Sequence, residues 1–282
     1  MRITINDIKE MKSKKEKIVM LTAYDYSTAK LLDEAGVPLI LVGDSLGMVI
    51  LGYDSTIPVT MEDMIHHTKA VTRGTKNALV VGDMPFMTYH TSTTDAMRNA
   101  ARFIQEAGAQ AVKMEGGEIV AEKVKRIVDC GIPVMGHIGL TPQFIHQLGG
   151  YKLQGKTPEA AQRLLNDAYA LEQAGAFAIV LELVPAQLSK LITHSVTVPT
   201  IGIGAGIDCD GQVQVISDIL GLFTDFIPKH ARQYAKLADI MKAAIANYSS
   251  EVKSGSFPTS ANSSSIDESL LKDLDRCCTP HK

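Results

Sequence analysis

Residues 93–140, TTDAMRNAARFIQEAGAQAVKMEGGEIVAEKVKRIVDCGIPVMGHIGL, contain two helix-like stretches, each running into a short apolar run. The first stretch, TTDAMRNAARFIQEAG, opens on polar residues able to cap a helix and closes on Gly108. Residues 111–117 follow as an apolar run of the kind that parallel sheets bury on both faces. GEIVAEKVKRIVDCG then repeats the helix and residues 133–140 repeat the strand. The ending recurs as EAGVP at 34–38, EAGAQ at 106–110, DCGIP at 129–133 and QAGAF at 173–177, each a helix C-terminus turning into a buried strand.

Working outward, apolar runs at 18–24, 39–47, 79–86, 111–117, 133–140, 178–184 and 199–206, with a weaker one at 218–223, make eight. Eight strands alternating with helices predict a parallel (β/α)8 TIM barrel, and an open doubly wound sheet is the other arrangement with this alternation. The expected organisation is a single catalytic barrel over 1–250 and a mobile C-terminal tail over 251–282, where SSEVKSGSFPTSANSSS is poor in large apolar residues. INDIKEMKSKKEK reads as an N-terminal helix covering the barrel bottom, and residues 230–248 read as the last helix, closing the barrel or packing on a neighbouring subunit.

Composition excludes several classes of function. The formal net charge is −3 and the pI about 6.2, with no basic stripe interleaved with aromatics, so neither nucleic acid nor a membrane surface is an expected partner. The lysine-rich first 17 residues have no apolar centre, so they read neither as a secretory signal nor as a span. Cys130, Cys209, Cys277 and Cys278 have neither metal-ligand spacing nor a disulfide-framework pattern, which points to a reducing cytoplasm. With 45% hydrophobic residues and a mean hydropathy of +0.07, the chain can bury a full core.

Four acids end apolar runs: Asp44 in LILVGDSLG, Asp83 in LVVGDMPF, Glu115 in AVKMEGG and Glu182 in AIVLELV. A carboxylate in such surroundings is costly to bury unless it is paired or bound to metal. In a barrel the ends of adjacent strands converge on the active-site mouth, so Asp44, Asp83 and Glu115 point to a divalent cation. Oxygen ligands favour magnesium over zinc. The competing reading is that each acid caps the helix that follows it.

Lys113 precedes Glu115 by two residues and projects to the same side of a strand, placed to pair with a substrate carboxylate or an enolate oxygen. A Schiff-base role and a surface salt bridge are its alternatives. Glu182, between Leu181 and Leu183, is the candidate base for a proton on carbon next to an activated carbonyl, with a structural ion pair as the alternative. His137 in VMGHIGLTP could bond substrate or water, although a single histidine is more often structural. His66 and His67 lie in a helix-like stretch with no ligand role. GIGAG at 202–206 is a loop suited equally to phosphate or to tight packing.

These residues carry a resemblance that runs to about Pro258. LTAYDYSTAKLLDEAGVPLILVGDSLGMVILGYDSTIPVTMEDM, VVGDMPFMTY, AVKMEGG, VMGHIGLTPQ and PTIGIGAG resemble the ketopantoate hydroxymethyltransferases. The resemblance implies a TIM barrel of the phosphoenolpyruvate/pyruvate type that transfers a hydroxymethyl group from 5,10-methylenetetrahydrofolate to 3-methyl-2-oxobutanoate. The product would be 2-dehydropantoate, on the way to pantothenate and coenzyme A, formed through a magnesium-stabilised enolate. It further implies one Mg2+ per subunit held by Asp44, Asp83 and Glu115, directly or through water. Keto-acid contacts would come from Asp44, Ser45, Asp83 and Lys113, with His137 nearby and Glu182 as proton acceptor, in a homodecamer. Two competing readings remain: another magnesium-dependent barrel enzyme that cleaves 2-oxo acids, and a binding protein on a decayed barrel. The segment after Phe257 and Pro258 lacks the acidic, histidine-containing pattern usual in the family.

Overall fold

In the computed structural model, which describes residues 2–271, eight parallel strands close into a barrel in chain order. They are β1 (Ile18–Thr22), β2 (Leu39–Val42), β3 (Leu79–Asp83), β4 (Ala111–Glu115), β5 (Val134–Gly139), β6 (Ala178–Glu182), β7 (Thr200–Ile203) and β8 (Gly211–Gln214). β1 pairs with β8 to complete the closure. The main helices of this unit are α1 (Ile5–Ser13), α2 (Tyr26–Glu34), α3 (Met61–Gly74), α4 (Thr93–Gln105), α5 (Glu118–Asp129), α6 (Pro158–Gln173), α7 (Ala186–Ser195) and the short α8 (Ile216–Ile219).

The apolar runs become strands because both of their faces are covered. Leu39, Leu79, Val81, Ala111, Met135, Ala178 and Ile201 fill the barrel interior, while Ile40, Val80, Val112, Val134 and Ile179 pack outward under the helices. The helices start at side-chain caps: Ser92 accepts from Asp95 N at 3.0 Å, and Thr60 forms a capping box with Asp63. In the 93–140 stretch, Gly108 and Gly131 follow α4 and α5 at φ of +71° and +85°, where a side chain would be strained.

At the N-terminal end of the barrel, α1 inserts the fully buried Ile8 into the interior cluster. Lys12 anchors this helix by donating to the carbonyls of Thr193, Val196 and Val198 at 3.1, 3.0 and 2.8 Å and pairing with Asp210 at 3.0 Å.

The eighth strand corrects the sequence reading. Residues 218–223 belong to the end of α8 and the turn after it, and β8 is Gly211–Gln214, GQVQ. Its interior position is Val213, and Gln212 faces outward, so the strand has too little apolar sequence to be read as one.

A second compact unit begins at Lys236. Its helix, α9 (Leu237–Ser254), starts later and ends later than the 230–248 expected from sequence. α9 exposes Ile240, Met241, Ile245, Tyr248 and Val252. Residues 255–271 are turns and short 3-10 pieces, and Cys277 and Cys278 lie outside the described residues. Among the described residues no helix is long and apolar enough to cross a membrane.

Candidate active site

The strand ends at the C-terminal mouth bring together Asp44, Asp83, Lys113, Glu115, His137 and Glu182, all lining one cavity of about 580 Å³. The register accounts for the convergence. Asp83 pairs with Lys113 across β3 and β4, Glu115 with His137 across β4 and β5, and Gly139 with Glu182 across β5 and β6. Asp44 follows β2 by two residues, and its backbone N–H donates to Asp83 Oδ2 at 3.3 Å. Asp44, Asp83, Lys113, Glu115 and His137 are each at most 4% exposed.

Lys113 Nζ lies 2.8 Å from Asp83 Oδ1. That oxygen is buried and has no well-directed hydrogen bond, so the contact is an ion pair. Burial alone would lower the Lys113 pKa, but the charges of Asp83, Glu115 and Asp44 outweigh it and push it upward, keeping the ammonium charged. This agrees with an electrostatic role and leaves no neutral amine for a Schiff base.

Burial, followed by repulsion from Asp83 and Glu115, holds the Asp44 carboxyl well above the ordinary range. Asp83 is raised by burial, with Lys113 partly offsetting it. Glu115 goes the other way. Burial would raise it, but bonding to His137, the charge of Lys113 and a backbone hydrogen bond from Gln143 bring it down.

His137 bridges the two sides of the mouth. Its Nδ1 is 3.4 Å from Glu115 Oε1 and its Nε2 is 3.3 Å from Glu182 Oε2. Burial and Lys113 push its pKa down, but bonding to Glu115 and Glu182 prevails and raises it to about 9. An imidazolium donates from both nitrogens, so the 3.2 Å approach of Lys113 Nζ to Nδ1 is then a like-charge contact. Glu182, the candidate base, is thus linked to the acids through His137, and its side chain is 16% exposed. The chain turns sharply behind it: Leu183 has φ +45°, and a side-chain carbon on Gly204 would lie 2.6 Å from Leu183 Cδ2. The GIGAG loop therefore serves close packing behind Glu182.

Three polar residues had escaped sequence reading. Gln143 donates from Nε2 to Asp44 Oδ2 and to Met84 O, both at 2.9 Å, and from its backbone N to Glu115 Oε2 at 3.0 Å. Buried Tyr89 donates to Gln143 Oε1 at 2.7 Å and accepts from Glu115 N at 3.1 Å. Tyr24 lies 2.8 Å from Ser45 Oγ, which places that hydroxyl beside Asp44. A lone Gln or Tyr in a loop carries no periodic signal. Of the expected bystanders, His67 sits on α3 with Nδ1 2.6 Å from Tyr24 O. Among the described residues no three His, Cys, Asp or Glu side chains are grouped to hold an ion by themselves.

With this geometry in place, residues 2–260 match the model of the ketopantoate hydroxymethyltransferase family. The chain belongs to that family. It is 65% identical over 277 residues to a 3-methyl-2-oxobutanoate hydroxymethyltransferase of Dehalococcoides mccartyi, covering 98% of each chain. It is 59% identical to that of Chloroflexus aurantiacus, covering 96% of each. Among solved structures it resembles 2,3-dimethylmalate lyase, a member of the PEP mutase/isocitrate lyase superfamily. That match has a TM-score of 0.58 at 13% identity, over 98% of this chain and all of that one. Phosphonopyruvate hydrolase, solved with oxalate and Mg2+, gives 0.59 at 14% identity, over 98% and 96%. At these identities the two structures show the barrel fold alone.

Proposed function

We propose that the mouth of the barrel converts 3-methyl-2-oxobutanoate, 5,10-methylenetetrahydrofolate and water to 2-dehydropantoate and tetrahydrofolate, the hydroxymethyl transfer for which the family is named. The observation that carries the reading is Glu182, a carboxylate held by His137 at 3.3 Å on the rim of a cavity floored by Asp44, Asp83 and Lys113. Glu182 takes the proton from C3 of the keto acid, and His137, 3.3 Å away, orients its carboxylate. The Lys113 ammonium stabilises the oxygen on which negative charge develops. C3 then bonds to the one-carbon unit and displaces one folate nitrogen, and water displaces the other and supplies the hydroxyl oxygen. The two protons released, one from C3 and one from that water, end on the two folate nitrogens. Ser45, positioned by Tyr24, is a keto-acid contact.

The residues fit a divalent ion. Asp44, Asp83 and Glu115 crowd one another at the strand ends, and Asp83 Oδ1 is buried with no well-directed hydrogen bond, only the ion pair to Lys113. Asp44 and Asp83 are the direct ligands in this reading, while Glu115, its oxygens engaged by Gln143 and His137, acts through water. Bound there, one Mg2+ per subunit would polarise the keto acid's carbonyl and acidify C3–H. The same reading places the enzyme in the cytoplasm, in keeping with the free thiols of Cys130 and Cys209. It also makes it a homo-oligomer, with the exposed apolar side chains of α9 as contact surface and a decamer as the expected state.

The test is hydrogen exchange at C3 of 3-methyl-2-oxobutanoate in deuterated water, followed by NMR with and without Mg2+ and without folate. Metal-dependent loss of the C3 signal is the expected result. A folded, metal-loaded enzyme that leaves the signal intact would remove Glu182 from its role.

A further inference from the structure

The β8 side of the cavity contains polar groups that the keto-acid chemistry leaves unused. Asp218, on α8, lines the cavity and is only 7% exposed, yet its carboxylate makes no hydrogen bond or ion pair with any described residue. Burial alone raises its pKa to about 6. Gln214, at the end of β8, also lines the cavity, and its Oε1 is buried with no partner. The amide is oriented by its other end, where Nε2 donates to His230 O at 3.4 Å. Both residues therefore hold a hydrogen-bond acceptor without a donor at the cavity wall, while the Gln214 amide nitrogen is engaged by His230 O. Val213, Val215, Phe223 and Phe226 line the same cavity with apolar surface.

Buried acceptors without donors are costly; Lys229 and His230 line the same cavity, but neither bonds Asp218 or Gln214 Oε1, so a ligand that brings donors would satisfy them. A hard cation would need several more oxygen ligands than one carboxylate and one amide. Water alone would leave the apolar wall uncovered. A flat heterocycle with N–H groups along one edge satisfies both the acceptors and the wall. The cavity, at about 580 Å³, is far larger than a five-carbon keto acid requires, so there is room for a second molecule. Tyr24 ties the two halves together: its hydroxyl meets Ser45 Oγ at 2.8 Å, and the charges of both Asp218 and Asp44 act on it.

We propose that Asp218 and Gln214 form the subsite for the tetrahydropterin ring, Asp218 accepting from N3–H and the 2-amino group and Gln214 Oε1 from a further ring N–H. This rests on the reading of folate as the one-carbon donor. Stacked against the apolar wall, the ring would present its bridging carbon toward Ser45 and the keto acid. Asp218 is thus a specificity-determining residue, separate from the acids at the ends of β2–β4.

The experiment is calorimetric titration of the magnesium-loaded wild type, Asp218→Ala and Gln214→Ala with tetrahydrofolate and with its 2-desamino-2-methyl analogue. C3 exchange of the keto acid is followed on the same samples. Wild type should bind tetrahydrofolate at least about tenfold more tightly than the analogue, since the carboxylate would lose its amino partner. D218A should bind both ligands equally weakly while C3 exchange, which needs no folate, stays within about twofold of wild type. Gln214→Ala should show a smaller loss for both ligands. If D218A binds tetrahydrofolate like wild type, the subsite is wrong and the hydroxymethyl-transfer reading stands. If D218A loses exchange together with binding, Asp218 belongs to the keto-acid site and the proposal falls. A wild type that exchanges C3 yet binds no tetrahydrofolate overturns both the subsite and the folate reading.

Discussion

The two ends of the barrel treat buried charge in opposite ways. At the N-terminal end, Asp33 is 8% exposed and accepts from the backbone N–H groups of Lys76, Asn77 and Ala78 at 3.1, 2.9 and 2.7 Å, and from Asn77 Nδ2 at 3.1 Å. Lys12 meets three carbonyls and Asp210. At the C-terminal mouth, Asp44, Asp83 and Glu115 crowd one another around a single lysine, and Asp83 Oδ1 and His137 Nε2 lack well-directed hydrogen bonds. The first end joins the α2 region to the start of β3. The second keeps charge poorly compensated until something binds, a pattern that belongs to function.

Activity at the mouth gives the largest test of this contrast. Glu182→Gln keeps the shape and removes the base, so kcat should fall by about 10² to 10⁴-fold while keto-acid affinity, measured by titration, changes by only a few-fold. A comparable loss in both would mean that Glu182 only binds. The matching test at the other end is Asp33→Ala, which strands the buried N–H of Ala78 and the part-buried N–H groups of Lys76 and Asn77 and should cost about 1–3 kcal/mol of stability with unchanged kcat. Burial would raise the Asp33 pKa, but its hydrogen bonds hold it below the usual value. Its contribution is therefore present above the unfolded carboxylate pKa and lost as pH falls through the lower folded value. In denaturant titrations the difference between wild type and D33A should be flat from about pH 5 to 8 and shrink only below about pH 4.

How much of this was legible in the sequence differs between the ends for the same reason. The strands bearing Asp83, Glu115 and Glu182 are apolar on both faces, so a charged residue at their ends stands out by type and position alone. Seven strands could be read in this way. β8 could not, because four residues with outward Gln212 and terminal Gln214 read as loop, while the apolar residues after Asp218 belong to the end of α8 and the turn after it. His137 was legible as a residue but not as the link between Glu115 and Glu182, which depends on the β4–β5–β6 register. Gln143 and Tyr89 were illegible, since they reach the acids from a three-residue 3-10 turn and a loop whose paths only the closed barrel fixes. Asp33 shows the converse. It looks like any helix-surface acid until the β3 approach folds over it.

The smallest expected effect discriminates most sharply, because its sign is unusual. Asp44→Asn removes one of three neighbouring buried carboxylates while keeping an oxygen that can accept from Gln143 Nε2, now 2.9 Å from Asp44 Oδ2. In metal-free protein this relieves repulsion with Asp83 and Glu115. Stability should rise by about 1 kcal/mol, or roughly 2–4 °C in Tm for a chain of this size. Added Mg2+ should raise the Tm of wild type, since the ion binds the folded state, and leave D44N almost unmoved. Turnover by D44N should be lost at the same time. A variant that is at once more stable and inactive would show that the charge at the mouth is maintained for binding, at a cost to the fold. If D44N were instead less stable than metal-free wild type, Asp44 would be a structural acid like Asp33, and the contrast between the two ends would disappear.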